Sequence, residues 1–210
     1  MSVPVTQAEH AYTAIRTAII SGQLSAGARV YQSEWAEALG ISVTPVREAI
    51  RRLEQEGLLN VTPHRDVTVS ELSLAGAEEI YAMRLRVEPL QMEKSIEKFT
   101  KSASQQALSL CRQMDTTHDI IEFTYLNQQF HRTLLSYDDS WTARVTEMLE
   151  AAAAPYVALS LRKWPAQIKD SNAQHFQLLS AFDAGDLATA IEVGHAHLTS
   201  TLEALRKGLS

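Results

Sequence analysis

The chain has 210 residues, 45% hydrophobic and 21% charged, with a net charge of −6. That length exceeds the usual single domain, and the acidic balance excludes general affinity for nucleic acid, leaving specific, dimer-assisted binding as the form DNA recognition would take. No apolar run is long enough to span a membrane, the start MSVPVTQAEHAY carries no basic-plus-apolar signal, and Cys111 stands alone, so a cytoplasmic protein with a buried thiol and no internal disulfide is expected.

From about Ala8 to Ser21, the residues Ala11, Ile15, Ala18 and Ile19 share one helix face, and GQLSAG breaks the helix. A short helix from Ser33 to Leu39 follows, and Gly40 turns the chain into a third. In that third helix Thr44 is the expected N-cap and Pro45 the first helical residue, whose missing N–H would be unpaired there anyway. Val46, Ala49, Ile50 and Leu53 fall at the spacing of a core face. Thr44, Arg47, Glu48 and Arg51 repeat the spacing about 200° around the helix, giving an opposite polar face with cations near its start. Gly57 is the expected stop. Three helices with a Gly-containing turn before the third have the form of a helix-turn-helix. Beyond them, Leu59 and Val61, then Val67 and Val69, alternate with polar residues across the turn Pro63-His64-Arg65-Asp66, which predicts a two-stranded wing.

Residues 1–70 hold six Lys/Arg against seven Asp/Glu, so DNA binding is argued from where the arginines stand. Arg47, Arg51, Arg52 and Arg65, paired with Glu48, Glu54 and Glu56, would also make an ordinary solvated surface. At the start of a helix inserted in the groove, arginines reach phosphates and guanine edges.

From about Ser73 onward only helical periods occur. Helices are predicted over Leu74–Thr100, Ser104–Met114, Asp119–Ser136, Trp141–Lys163, Ala166–Ala184 and Leu187–Lys207, with Gly185-Asp186 as stop and N-cap between the last two. The fold class is mainly α: a winged helix-turn-helix over 1–71, then an all-α antiparallel helical bundle over 72–210.

Polar residues interrupt faces that should be apolar. The row Ile120, Thr124, Asn127, His131, Leu134 is an inward stripe, with Asn127 and His131 one turn apart. Ile168, Asn172, His175, Leu179 and Phe182 form a second such row. His195 and His197 flank the apolar row Leu187, Ile191, Leu198, Leu202, Leu205 of the last helix, and the helical wheel does not choose between them. One inward histidine is ordinarily a hydrogen-bonded core residue. Three helices each sending an imidazole to one core are better satisfied by a shared metal ion. Neutral imidazoles with one oxygen donor suit zinc, nickel or manganese, with open positions for water or ligand.

The run LGISVTPVREAIRRLEQEGLL, Leu39 to Leu59, resembles the GntR family of bacterial transcription regulators. That resemblance implies Ser42, Thr44, Arg47 and Arg51 on the recognition helix, and Arg65 on the wing, as DNA-binding residues. Two positions depart from the family pattern: Val43 stands where an arginine usually contacts DNA, and Asp66 where the wing usually has glycine. Asp tolerates positive φ better than most residues, which would preserve the turn.

The second half resembles the FCD effector domain of the FadR-type subfamily, on Phe130-His131, His175 and His197-Leu198. The resemblance implies a metal held by Asn127, His131, His175 and His197, the HL pair selecting His197 and leaving His195 in reserve as an effector-binding residue. The family has aspartate at Asn127; an amide oxygen ligates without charge, so the divalent ion should be held weakly. Arg84 and Glu88 in YAMRLRVEPL match a further family pattern. Arg84 would bind an effector carboxylate bidentately or pair structurally with Glu88.

The expectation is therefore a ligand-responsive regulator, a repressor and not an enzyme. It would bind a near-palindromic double-stranded DNA operator as a homodimer, respond to a small carboxylate effector and stay off membranes. Two other readings are a ligand-binding or interaction protein whose DNA-binding half has decayed, and a metal-dependent hydrolase, for which no general base is evident.

Overall fold

A computed structural model describes residues 6–62, 66–136 and 138–209. The chain divides into two compact units, residues 1–72 and 73–210.

In the first unit α1 (Gln7–Ser21) starts at Thr6, whose side chain accepts from the Glu9 N–H at 3.1 Å. Ala11, Ile15, Ala18 and Ile19 are buried on the face their spacing predicts. The helix-turn-helix proper is α2 (Gln32–Leu39) and α3 (Val43–Gln55). Ser42, not Thr44, is the N-cap of α3. The helix can begin two residues early because all of the first N–H groups lack intrahelical partners, so Pro45 fits the third position as well as the first. At the far end the Gly57 N–H reaches the Glu54 carbonyl and the Leu58 N–H the Leu53 carbonyl, both at 2.9 Å. This pair of bonds is the Schellman stop, with Gly57 at φ 72°.

Val46, Ala49, Ile50 and Leu53 of α3 pack with Tyr12, Ile15 and Ile19 of α1 and with the wing. The wing pairs β1 (Leu59–Val61) antiparallel with β2 (Val67–Val69), Leu59 opposite Val69. Residues 27–30 add a third ribbon that sequence did not reveal: Gly27 and Val30 donate to the Val69 and Val67 carbonyls, and Val69 donates back to Ala28. The Asp66 carboxylate lies 3.5 Å from Arg29. Pro63, His64 and Arg65 lie outside the described residues.

The second unit is an antiparallel bundle of α4 (Leu74–Ile96), α5 (Lys101–Thr116), α6 (Ile120–Leu135), α7 (Trp141–Lys163), α8 (Gln167–Ala184) and α9 (Leu187–Leu209). Helix α4 packs against α6, α7 and α9, while α8 bridges α5 and α9. The boundary between α4 and α5 differs from the expectation. Thr100 accepts from the Ala103 N–H and so caps α5 rather than ending α4. Two buried polar side chains of α4 close the end of α6: Gln91 Nε2 donates to the Leu135 carbonyl at 2.9 Å, and Ser95 Oγ donates to the same oxygen. Phe123, Phe130 and Leu134 of α6, Met114 of α5 and Leu178 of α8 centre the core.

Candidate DNA interface and candidate metal centre

The recognition helix divides as its sequence divides. Its apolar face is buried, while Ser42, Thr44, Arg47 and Arg51 are exposed. Ser42 makes no side-chain capping bond. Arg47 Nε donates to Gln32 Oε1 of α2 at 3.0 Å. Arg52, one position on from Arg51, is structural: it pairs with Glu9 at 2.9 Å and Glu56 at 3.2 Å, and its guanidinium lies 3.7 Å over the Tyr12 ring. Val43 is half-buried against the core of the first unit.

In the second unit His131 of α6, His175 of α8 and His197 of α9 converge. One nitrogen from each lies within 4.8 Å of the others, and the rings sit 4.8 to 5.3 Å apart between centroids. All three are buried. Desolvation dominates their titration, holding His131 and His175 well below the ordinary imidazole range and His197 near 4. The Arg84 guanidinium adds a smaller push in the same direction at His131 and His197. At neutral pH the cluster therefore presents three uncharged rings with lone pairs, the form in which imidazole binds a metal.

His197 Nδ1 donates to Gln174 Oε1 at 3.0 Å, which fixes the tautomer and frees Nε2. His175 is fully buried beside the Phe130 and Phe123 rings, and neither of its nitrogens has a hydrogen-bond partner. An unsatisfied buried polar atom costs about 1–3 kcal/mol, so His175 fits an ion far better than an apolar core. Nitrogens bound to one tetrahedral ion at about 2.1 Å lie about 3.4 Å apart, so closing on an ion requires these rings to draw together by at most about 1.4 Å. The residues present suit a divalent ion.

A cavity of about 30 Å³ adjoins the cluster, with Asn127, His131, His197 and Arg84 among its walls. This volume accommodates an ion or one or two waters. Arg84 is buried, paired with Glu88 at 2.5 Å, and its guanidinium lies 5.3 Å from the Tyr81 ring. Burial would pull its pKa down, but the carboxylates of Glu88 and Glu150 and the Tyr81 hydroxyl hold it above the ordinary range. Of the two sequence alternatives for Arg84, the structure shows the ion pair with Glu88, and the same residue lines the cavity. His195 lies elsewhere: it is exposed, and its Nε2 donates to the Leu85 carbonyl at 3.0 Å. Sequence reasoning missed Gln174, which no periodicity marks. It also missed Tyr81, although Tyr81, Arg84 and Glu88 fall at i, i+3 and i+7 and so line up on one face of α4.

Residues 7–69 match the bacterial regulatory proteins of the gntR family, and residues 79–200 match the FCD domain. The chain belongs to the GntR family of bacterial transcription regulators, with an FCD domain as its second unit; its relatives are regulators and not enzymes. It is 29% identical over 134 residues to YdhC of Bacillus subtilis, an uncharacterized HTH-type transcriptional regulator, spanning 60% of this chain and 58% of that one. The gluconate operon transcriptional repressor of Bacillus subtilis is 26% identical over 153 residues, or 70% of this chain and 62% of the repressor. McbR of Escherichia coli, an HTH-type transcriptional regulator, is 29% identical over 174 residues, 79% of this chain and 77% of that one. The solved structure of McbR shares the fold, with a TM-score of 0.84 over 98% of this chain and 100% of that one at 22% identity. Among the described residues no helix is long and apolar enough to cross a membrane.

Proposed function

We propose that the protein is a ligand-responsive repressor, acting in the cytoplasm. It binds a near-palindromic operator as a homodimer and is modulated by a small organic acid at a metal centre in its helical unit. The gluconate operon repressor among its relatives supports the repressor reading. His131, His175 and His197 hold the ion, with the Asn127 amide oxygen as a weaker fourth donor. The ion, zinc, nickel or manganese, supplies a Lewis-acid anchor for a carboxylate. The observation that carries the metal reading is His175, whose two buried nitrogens have no other partner.

Arg47 and Arg51, exposed on the polar face of α3, reach the operator, with Ser42 and Thr44 beside them and Arg65 on the wing. Dimerisation through the helical unit is supported by large apolar side chains left in solvent. Met83 and Leu90 on α4, and Trp141 and Met148 on α7, are exposed, each pair seven residues apart on one helix face. The acid would favour one of two arrangements of the dimer, and a few kcal/mol of differential binding moves such an equilibrium.

The test is selection of a duplex from a random pool with the purified full-length chain. Metal-stripped and zinc-loaded protein are then titrated with that duplex, with and without a panel of carboxylates. A selected near-palindrome, bound more weakly when zinc and one acid are both present, is the expected result. Recovery of no duplex above non-specific background would favour the reading of a ligand-binding protein that has lost DNA recognition, for which Val43 and the acidic first unit speak.

A further inference from the structure

A surface recess of about 340 Å³ separates the starts of α2 and α3, with Tyr31, Gln32, Val43 and Arg47 on its walls. Arg47 is the first cation on α3, because Val43 occupies the helix's opening position. Its one hydrogen bond among the described residues crosses this recess to Gln32 through Nε, which leaves both Nη groups without a partner.

We propose that Gln32 is a positioning residue for DNA recognition, holding the Arg47 guanidinium so that its two Nη groups meet one guanine edge or phosphate together. The proposal rests on the reading that Arg47 contacts DNA. A free exposed arginine samples many rotamers, and ordering them on binding opposes association. A hydrogen bond made before binding removes part of that cost, and bidentate recognition needs the fork held in one plane. A neutral amide is well suited to this role, because it accepts from Nε without neutralising the charge the DNA must feel. With no cation at Val43, the orientation of this one guanidinium decides more of the recognition.

The test is a double-mutant cycle on the full chain with the selected duplex: Gln32→Met, similar in length but without the amide, Arg47→Ala, and both together. Gln32→Met is expected to weaken binding about three- to tenfold while the salt dependence stays that of the parent, since no phosphate contact is lost. In the Arg47→Ala background the same change is expected to alter affinity less than about twofold. Parent-like affinity for Gln32→Met overturns the proposal. An equal loss in both backgrounds also overturns it, because Gln32 would then be touching DNA itself. If Arg47→Ala alone binds like the parent, the reading of Arg47 fails and takes the proposal with it, a result distinct from either of the others.

Discussion

His197 Nδ1 donates to Gln174 Oε1 at 3.0 Å, and Gln174 immediately precedes His175 on α8, so one residue orients a ring on α9 while its neighbour supplies the next. Outer hydrogen bonds of this kind fix which nitrogen faces the ion. Replacing Gln174 by Leu is expected to lower zinc affinity about 10- to 100-fold without removing any ligand. Competition against a fluorescent chelator reads this directly; parent affinity in Gln174→Leu would mean that the tautomer is set in some other way.

His175 gives a prediction of opposite sign for the two states of the protein. In the metal-free form His175→Leu removes two unsatisfied nitrogens and should raise stability by about 1–3 kcal/mol. Metal should then add nothing, whereas it should raise the melting temperature of the parent. Calorimetry with and without chelator separates the two. A metal-free His175→Leu protein less stable than the parent would show that His175 has partners in solution.

Asn127 borders the cavity one turn before His131. Asn127→Asp places a charge beside the neutral cluster and is expected to tighten divalent-ion binding about tenfold or more. Isothermal titration with zinc and manganese measures it, and no gain for either ion would place Asn127 outside the coordination shell.

Acid should destabilise the metal-free protein through these same rings. Their folded pKa values lie below the ordinary 6.5, near 4 for His197, so the unfolded chain takes up protons first as the pH falls. Stability is therefore complete above about 6.5 and declines toward pH 4, by about 3 kcal/mol for His197 alone. Urea melts at stepped pH in chelator test this, with His197→Leu expected to flatten the slope.

Leu90→Glu together with Met148→Glu should turn the proposed dimer into a monomer, since charges on an apolar interface must be desolvated without partners. Sedimentation of the intact variant at micromolar concentration gives the answer. An unchanged dimer would move the interface off α4 and α7.

Much of this architecture was legible in the chain because helical spacing is a local signal. The rows through His131 and His175 read correctly as inward because each histidine is followed by leucines at i+3 and i+4, Leu134 and Leu135 for the first, Leu178 and Leu179 for the second. His197 was harder: the apolar row used for α9 passes between it and His195. The deciding row was Ala190, Gly194, His197, Thr201, the side on which α9 approaches α4. A Cβ at Gly194 would lie 2.7 Å from the Met92 side chain, so small residues rather than large ones marked the packed face. The start of α3 was misplaced because proline fits several early positions of a helix. The pairing of residues 27–30 with β2 and the Gln174 contact depend on tertiary proximity that no local pattern encodes.

The double grip of Gln91 and Ser95 on the Leu135 carbonyl sorts the walls of the metal cavity into fixed and yielding ones. Sliding α6 along its axis would strip two buried hydrogen bonds from its end, which anchors His131 to α4. The opening turn of α8 has no such anchor: Ala166 offers no side-chain cap, and Gln167, on the cavity wall, reaches only the Ser200 carbonyl at 3.5 Å. A guest too large for the present cavity would therefore be accommodated where α8 begins, displacing that turn rather than the helix that carries His131.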